Sequence, residues 1–520
     1  MKKIQYILGI LVLGMSMTSC VWDLNVTPID PNANTADKAL VDEKSYEQFL
    51  SGVYLGFATS GYYGKDGSAS ISGLDGGASQ YIRGLYHHSE LTTDESVCGW
   101  NDQTIKNFHW MNWTTDDTFI YAFYSRIFMQ VSMANEFIRE AKASEVNFAK
   151  KQQFIDEARV LRALAYYHAI DNFGNVPFAD ETAVVGVNPD QISRADLYDW
   201  LENELKDLVS NSALPDKNGT EYGHVNKSAA KFLLAKLYLN AEVFKGVAAY
   251  DKCASVLSDL LDDGYSLHTT SAGVYSPYQE LFLADNNKCT DEIIFAIEQN
   301  GSLTNSYGAT NYLIFASTGG AMDPAEMGIS SGWGGLRMTP EFYNKFSSDD
   351  ARALFYTATQ QPDIDDIGEF SHGYAFMKFR NKNSDGTDGS ELGSVDTDFP
   401  MMRYADVLLM ATECQLRGAS VSGSVDGINA VRARAGLGRI ANPTLQDVLD
   451  ERARELYQEC WRRNDLIRFG QFTSSAYLWQ WKGNVKDGAA VDDYRALFPI
   501  PDSDRLANTK LQQNPGYGTK

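Results

Sequence analysis

Three groups of residues have types and spacings that could do chemistry, and each implies a different one. Gly328-Ile329-Ser330-Ser331-Gly332 has the Gly-x-Ser-x-Gly spacing of a hydrolase nucleophile, which needs a strand before the serine and a helix after it. Here Pro-Ala-Glu-Met precedes, and Trp333-Gly334-Gly335 follows, which is a poor helix start. Asp94-Glu95, Asp406 and Glu413 could supply the carboxylate pair that glycoside hydrolysis uses. With 68 acidic residues such pairs arise by coincidence, and salt bridges of Asp406 and Glu413 to Arg403 and Arg417 are the plainer expectation. The third group is Trp100, Trp110, Trp113, Tyr307, Tyr312 and Trp333, aromatics outside the helical stripes. Large aromatics on loops are costly to expose unless they pack or bind. Sugar rings offer C–H faces for such rings, and sugar hydroxyls need amide, carboxylate or guanidinium partners. Trp100-Asn101-Asp102-Gln103 puts a stacking face beside several polar groups. His87-His88 reads as a loop pair, and no zinc-protease or phosphate-loop motif occurs, so nothing calls for a metal or cofactor.

The elements that must position these residues are mostly helical. Across residues 152 to 178, Phe154, Ala158, Leu161, Ala165 and Ala169 recur at helical spacing, Gly174 stands where a left-handed stop belongs, and Pro177 forbids continuation. Small residues on this stripe let another helix approach closely. Helices are also expected at 43–59, 117–143, 194–210, 226–245, 248–262, 400–418, 424–436 and 444–470. The charged face of the last, from Glu451 to Arg468, reads as structural ion pairing. The pair 226–262 resembles a tetratricopeptide unit without a strict repeat period. Two regions break the pattern: about 60–116, rich in Gly, Ser and Trp, and about 264–399, where EIIFAIEQN and YAFMKFR suggest short strands. Loop regions this long inside a helical protein are usually functional. The tail, LFPIPDSDRLANTKLQQNPGY, is expected to pack back over the helices.

Length alone suggests about three domains, yet helices of one kind flank the central loop region, so one mostly α domain is expected. The formal charge of -23 argues against nucleic acid and anionic lipid as charge-driven partners and suits a neutral ligand. Residues 1–19 read as a secretory leader: Lys2 and Lys3, an apolar run too short to span a bilayer, then Met17-Thr18-Ser19 before Cys20. That pattern makes Cys20 a lipid-attachment site, residues 20–40 a tether, and 41–520 the single domain. Beyond Cys20, five cysteines remain. They cannot all pair internally, no Cys-x-x-Cys occurs, and Cys253, Cys414 and Cys460 read as small core residues on helices.

Six stretches taken together resemble the SusD/RagB family of outer-membrane lipoproteins: Cys20 with NVTPIDPN, EARVLRALAYYHAIDNFGNVPF, AAKFLLAKLYLNAEVF, MRYADVLLMATEC, DERARELYQECWRRNDLIRFG and FPIPDSDRLANTKLQQNPGY. They lie in the family's order and cover the mature chain; Cys460 departs from the glycine many members carry. The resemblance implies a tetratricopeptide-like helical scaffold with a loop-rich binding region and no catalytic activity. It implies a surface-facing, lipid-anchored position in the outer membrane, polysaccharide utilisation, and partnership with a SusC-like TonB-dependent transporter. It is greatest to the starch-binding founder. On that resemblance Arg83, Trp100, Tyr307 and Trp333 contact an α-glucan such as a malto-oligosaccharide, with Asn101 or Gln103 as the amide contact. Two other functions stay open at this point: a peptide-binding protein of the RagB type, and a secreted hydrolase using Ser330 or a carboxylate pair.

Overall fold

The computed structural model describes residues 36–61, 64–65, 67–77, 79–422 and 426–518. The leader, Cys20 and most of the tether lie outside the described residues. We label the elements that matter here α1 (Glu43–Ala58), α2 (Tyr81–Ser89), β1 (Val97–Cys98), α3 (Gln103–Trp110), α4 (Thr118–Ala143), α5 (Lys151–Asn172), α6 (Arg194–Asn211), α7 (Lys227–Leu239), α8 (Tyr250–Leu261), β2 (Ile293–Ile297), α9 (Ala309–Ser317), β3 (Leu336–Met338), β4 (Phe355–Tyr356), β5 (Tyr374–Phe376), β6 (Phe399–Arg403), α10 (Tyr404–Leu416), α11 (Gly427–Arg434), α12 (Leu445–Leu456) and α13 (Arg462–Arg468).

The helices start where side chains satisfy their first N–H groups. Asp42 and Ser45 form a capping box on α1, Asp117 caps α4, Ser193 caps α6 and Asn226 caps α7. Helix α5 is central. It packs against α1, α4, α6 and α7, and from Phe154 onward nearly every residue is buried. Ala158, Ala163, Ala165 and Ala169 are fully buried, which lets its neighbours approach closely on several sides. The chain then turns at Gly174 (φ +69°). From there contacts run in succession, α6 to α7, α7 to α8, α8 to α10, and α10 to α11 and α12. The protein is a mostly helical array of successive packed helices, as the periodicity implies. The tail folds back: Asn514 Nδ2 donates to the carbonyls of Phe173 and Phe498.

Several boundaries differ from the sequence reading, each for a physical reason. The 226–245 helix breaks at Asn240, whose side chain donates to the Lys236 carbonyl. Residues 399–403 are strand β6, paired antiparallel with β2 (Ile293 opposite Arg403, Ile297 opposite Phe399), so the helix expected from 400 begins at Tyr404. The 444–470 helix is two helices. Between them Gln458 (φ +61°) and Cys460 (φ +67°) adopt left-handed backbone, and the Gln458 N–H donates to buried Glu95 at 2.6 Å. Cys460 is therefore a buried turn residue, while Cys253 and Cys414 are helical and buried as expected. The 60–116 region contains two helices, α2 and α3. The 264–399 region contains helix α9 and most of an antiparallel sheet ordered β1-β3-β5-β4. EIIFAIEQN and YAFMKFR do contribute strands, β2 and β5.

The expected ion-paired face at 451–468 is a buried network rather than a surface. Arg403 meets Glu292, Glu455 and Glu459; Arg352 meets Asp350, Glu451 and Glu455; Arg468 meets Glu413 and Asp465. Glu413 also pairs with Arg417, but Asp406 pairs with Lys236 and Arg452 instead of Arg403, whose guanidinium faces the 455–459 carboxylates.

Candidate functional site: an aromatic ledge

The ledge is built where the starts of α2 and α9 meet. Gln80, fully buried, caps α2 by accepting from Arg83 N at 2.9 Å, and the same oxygen accepts from Ala309 N at 2.9 Å. Its amide donates to the Phe57 carbonyl of α1 at 2.6 Å. One glutamine thus fixes three elements and holds Arg83 beside the 305–308 turn. The opposite edge is the 333–335 loop. It runs along the end of α9 through Trp333 N to Phe315 O, Gly334 N to Thr318 O and Gly335 N to Ala316 O, all at 2.7–2.8 Å. Trp100 follows β1 and is brought to this loop by Gly99 N donating to Gly335 O and by its own indole N–H donating to Trp333 O at 3.3 Å.

The result brings Trp100, Tyr307 and Trp333 together, each half-buried. Ring centroids lie 6.3 Å apart for Trp100 and Trp333, and 5.8 Å for Tyr307 and Trp333. The Trp333 ring rests on Phe315 at 5.0 Å. Two glycines make room: a Cβ at Gly335 would lie 2.9 Å from the Trp100 indole, and one at Gly77 would lie 3.1 Å from the Tyr307 side chain. The rings are tilted against each other rather than stacked, and all three residues are only partly buried.

Arg83 sits behind the rings. Its guanidinium lies 5.4 Å from the Trp100 centroid and 4.6 Å from that of Tyr312, and Nη1 donates to the Tyr307 carbonyl at 3.1 Å. Burial lowers its pKa from the ordinary arginine value. Its described bonds go to backbone, so in this arrangement it holds Tyr307 and Trp100 in place. Asn101 and Gln103 are both exposed beside Trp100. Asn101 accepts from Lys106, and Gln103 opens α3 and donates to Asn107 at 2.9 Å. Lys65, which the sequence reading did not single out, has its ammonium 5.9 Å from the Tyr307 ring.

Two family models match the chain: one described as SusD family over residues 352–517, the other as starch-binding associating with outer membrane over residues 76–239. The starch-binding protein SusD of Bacteroides thetaiotaomicron is 31% identical, across 98% of this chain and 97% of that protein. The chain belongs to the SusD family. SusD-like protein P2 of Formosa agariphila is 25% identical over 77% of this chain and 81% of its own length. Among solved structures, surface glycan-binding protein A of Bacteroides thetaiotaomicron, in complex with laminarihexaose, superposes with a TM-score of 0.70. It shares 19% identity, and the match covers 91% of this chain and all of that one. The Bacteroides fluxus protein of the same name gives 0.71 at 21% identity, over 92% and 100%. At these identities the structures show that the SusD fold is shared.

The other candidate chemistries of this SusD-family protein are built differently from what their motifs suggested. A 3-10 turn over Pro324–Met327, not a strand, precedes Gly328 (φ +71°), and Ser330 N bonds to Leu392 O, so no nucleophile elbow forms. Asp94 is fully buried and held by Arg462 and Tyr477. Glu95 is also fully buried; burial pushes its pKa up to about 7. His87 and His88 are not a loop pair; they are buried on α2, packed against Phe119 and Phe498. Trp113 is core, 1% exposed, Trp110 ends α3, and Tyr312 lies on α9, fully buried under Arg83.

Proposed function

We propose that this protein is a non-catalytic glycan-binding lipoprotein of the outer membrane. It captures oligosaccharides at the cell surface, α-glucans such as malto-oligosaccharides, and passes them to a SusC-like TonB-dependent transporter. The observation that carries the reading is the ledge: Trp100, Tyr307 and Trp333 converge from three separate segments and are only partly buried. Whole-length similarity to a starch-binding relative supports the same ligand class. Sugar C–H faces would stack on the three rings. Asn101 and Gln103 flank Trp100 with amides, and Lys65 stands over Tyr307 as a further donor. Arg83 sets the ledge from behind. Domain limits of 41–520, a tether at 20–40 and lipid on Cys20 complete the proposal.

A shallow, wet site of this kind binds weakly, with Kd on the order of 10 µM to 1 mM. Calorimetry of the mature chain against malto-, laminari- and neutral β-linked oligosaccharides tests the ligand. Trp333→Ala is expected to lose roughly tenfold or more in affinity, as befits loss of a buried aromatic face. Binding confined to β-linked glycans would remove the α-glucan assignment. Turnover of any glycan or chromogenic ester by the purified protein would remove the binding-only reading.

A further inference from the structure

A second cleft lies beside the ledge, with a volume of about 810 Å³, within the range that takes small-molecule ligands. Its walls include Tyr54 and Leu55 of α1, Tyr222, Leu303, and the carboxylates of Glu298 and Asp398. Those carboxylates differ from the acids at the heart of the helical scaffold. Buried acids of the scaffold, such as Asp94, Glu413 and Glu455, are paired with guanidinium groups. Around the cleft, Asp398 accepts from Gln299 N at 2.7 Å and from the Tyr222 hydroxyl at 2.8 Å, and Asp396 accepts from Gly301 N and the Ser390 hydroxyl at 2.8 Å. Among the described residues no lysine, arginine or histidine nitrogen lies within 4.0 Å of the Asp396, Asp398 or Glu298 carboxylates. The lining also holds His224, bonded to Glu157, and Lys288, paired with Asp285, but its acids outnumber them, so the wall offers hydrogen-bond acceptors beside tyrosine rings with a net negative charge. That suits a ligand that donates hydroxyls and carries no anionic group.

Two segments join the cleft to the ledge. Thr304 lines the cleft and Tyr307 is on the ledge; three residue steps separate their Cα atoms by at most about 11 Å. The 390–396 loop does the same on the other side. Ser390 and Asp396 line the cleft, while the Gly393 carbonyl accepts from Lys65, whose ammonium faces Tyr307. We infer that the cleft is a second subsite for uncharged saccharide, continuous with the ledge, so that one oligosaccharide chain occupies both. This rests on the glycan reading of the ledge and goes beyond it. The ledge would hold any short neutral glycan, while the cleft makes affinity grow with chain length, because a second contact made by a tethered chain is effectively intramolecular. It also selects against uronate or sulfate substituents on the added residues, which would face unpaired carboxylates.

The test is a chain-length series by calorimetry, using malto- and laminari-trisaccharides and octasaccharides on the mature protein. Ser51→Trp fills the cleft from exposed Ser51 on α1. Leu303→Trp, at a residue 82% exposed, adds bulk at its rim without touching the core. In the wild type the octasaccharide is expected to bind about tenfold or more tighter than the trisaccharide of its series. Either cleft variant should reduce that gain to less than about threefold and leave trisaccharide Kd unchanged. An undiminished gain in folded Ser51→Trp and Leu303→Trp variants overturns the subsite. Trp333→Ala reports separately on the ledge: if it leaves trisaccharide binding intact, the ledge reading fails on its own. Absence of binding by every saccharide in the wild type sinks both.

Discussion

At the scale of single residues, the ledge depends on what is missing as much as on its rings. Gly335 stands where a methyl group would press on the Trp100 indole at 2.9 Å and on the Cys98 sulfur at 3.1 Å. Both neighbours are fixed, Trp100 by its bond to Trp333 and Cys98 by pairing with Leu336, so neither can yield cheaply. Gly335→Ala is therefore expected to cost about 1–3 kcal/mol of stability. It should also tilt Trp100 and weaken glycan binding several-fold. Gly438→Ala, with open space around it, is the control that should change neither. Thermal unfolding beside calorimetry reads both effects; unchanged saccharide affinity in Gly335→Ala would mean that Trp100 is not a contact. Residue types picked out Trp100, Tyr307 and Trp333 only together with Trp110, Trp113 and Tyr312, which pack into helices and core, and the family resemblance separated the first three from the rest. Gln80 was not legible. A buried glutamine joining two helix starts has no local signature, since its partners lie more than twenty and two hundred residues away.

At the scale of elements, what the sequence revealed follows from how each segment is buried. Helices α1, α4, α6 and α8 were legible because one face meets water and the periodicity shows. Helices α2 and α9 are buried on every side, so no apolar stripe distinguishes them from a loop rich in Gly and Tyr. Of the strands of the sheet, two or three residues long, only β5 was read, from YAFMKFR, and the others carry too few alternations. Long segments here are instead held by side-chain clamps, and one of them sets a pH dependence. His268 Nδ1 faces Asp291 at 2.9 Å, and Nε2 faces Glu280 at 2.9 Å. Glu280 in turn accepts from the N–H groups of Ala272 and Gly273. Hydrogen bonding to Asp291 above all pushes the imidazole pKa up to about 11. The folded value lies above the unfolded value of about 6.5. The stabilisation is therefore complete below about pH 6.5 and is lost progressively as pH rises toward 11. His268→Gln is expected to destabilise the protein more at pH 6 than at pH 10. Denaturant midpoints of both proteins at the two pH values measure this, and an equal penalty at both would show that the imidazole is neutral in the fold.

At the scale of the whole molecule, buried charge ties together parts that are distant in sequence. Arg403, at the end of β6, meets Glu292 beside β2, Glu455 at the end of α12, and Glu459 in the turn before α13. Removing it takes one partner from each of three buried carboxylates, leaving Glu292 with Arg434, Glu455 with Arg352 and Arg434, and Glu459 with Lys378, so Arg403→Met should cost about 3–5 kcal/mol and lower the midpoint of the unfolding transition. A loss under about 1 kcal/mol would show that Arg352, Arg434 and Lys378 suffice to hold these acids. The assembled surface is acidic, with a formal charge of -23, which does not favour adsorption to anionic lipid. The retention at a membrane proposed above would then come from elsewhere, and the Met17-Thr18-Ser19-Cys20 pattern, outside the described residues, would supply it through acyl chains on Cys20. Two or three chains give durable attachment. Under the proposed function, confinement would also raise the effective concentration of the protein over its transporter, which a weak contact between the two would need. Cys20→Ala should therefore yield a folded protein with unchanged saccharide affinity that is released from the membrane fraction, and oligosaccharide uptake at low substrate should fall. Cell fractionation beside an uptake assay decides it. If the variant remains in the outer membrane with normal uptake, the partner alone holds the protein there and the lipid is dispensable.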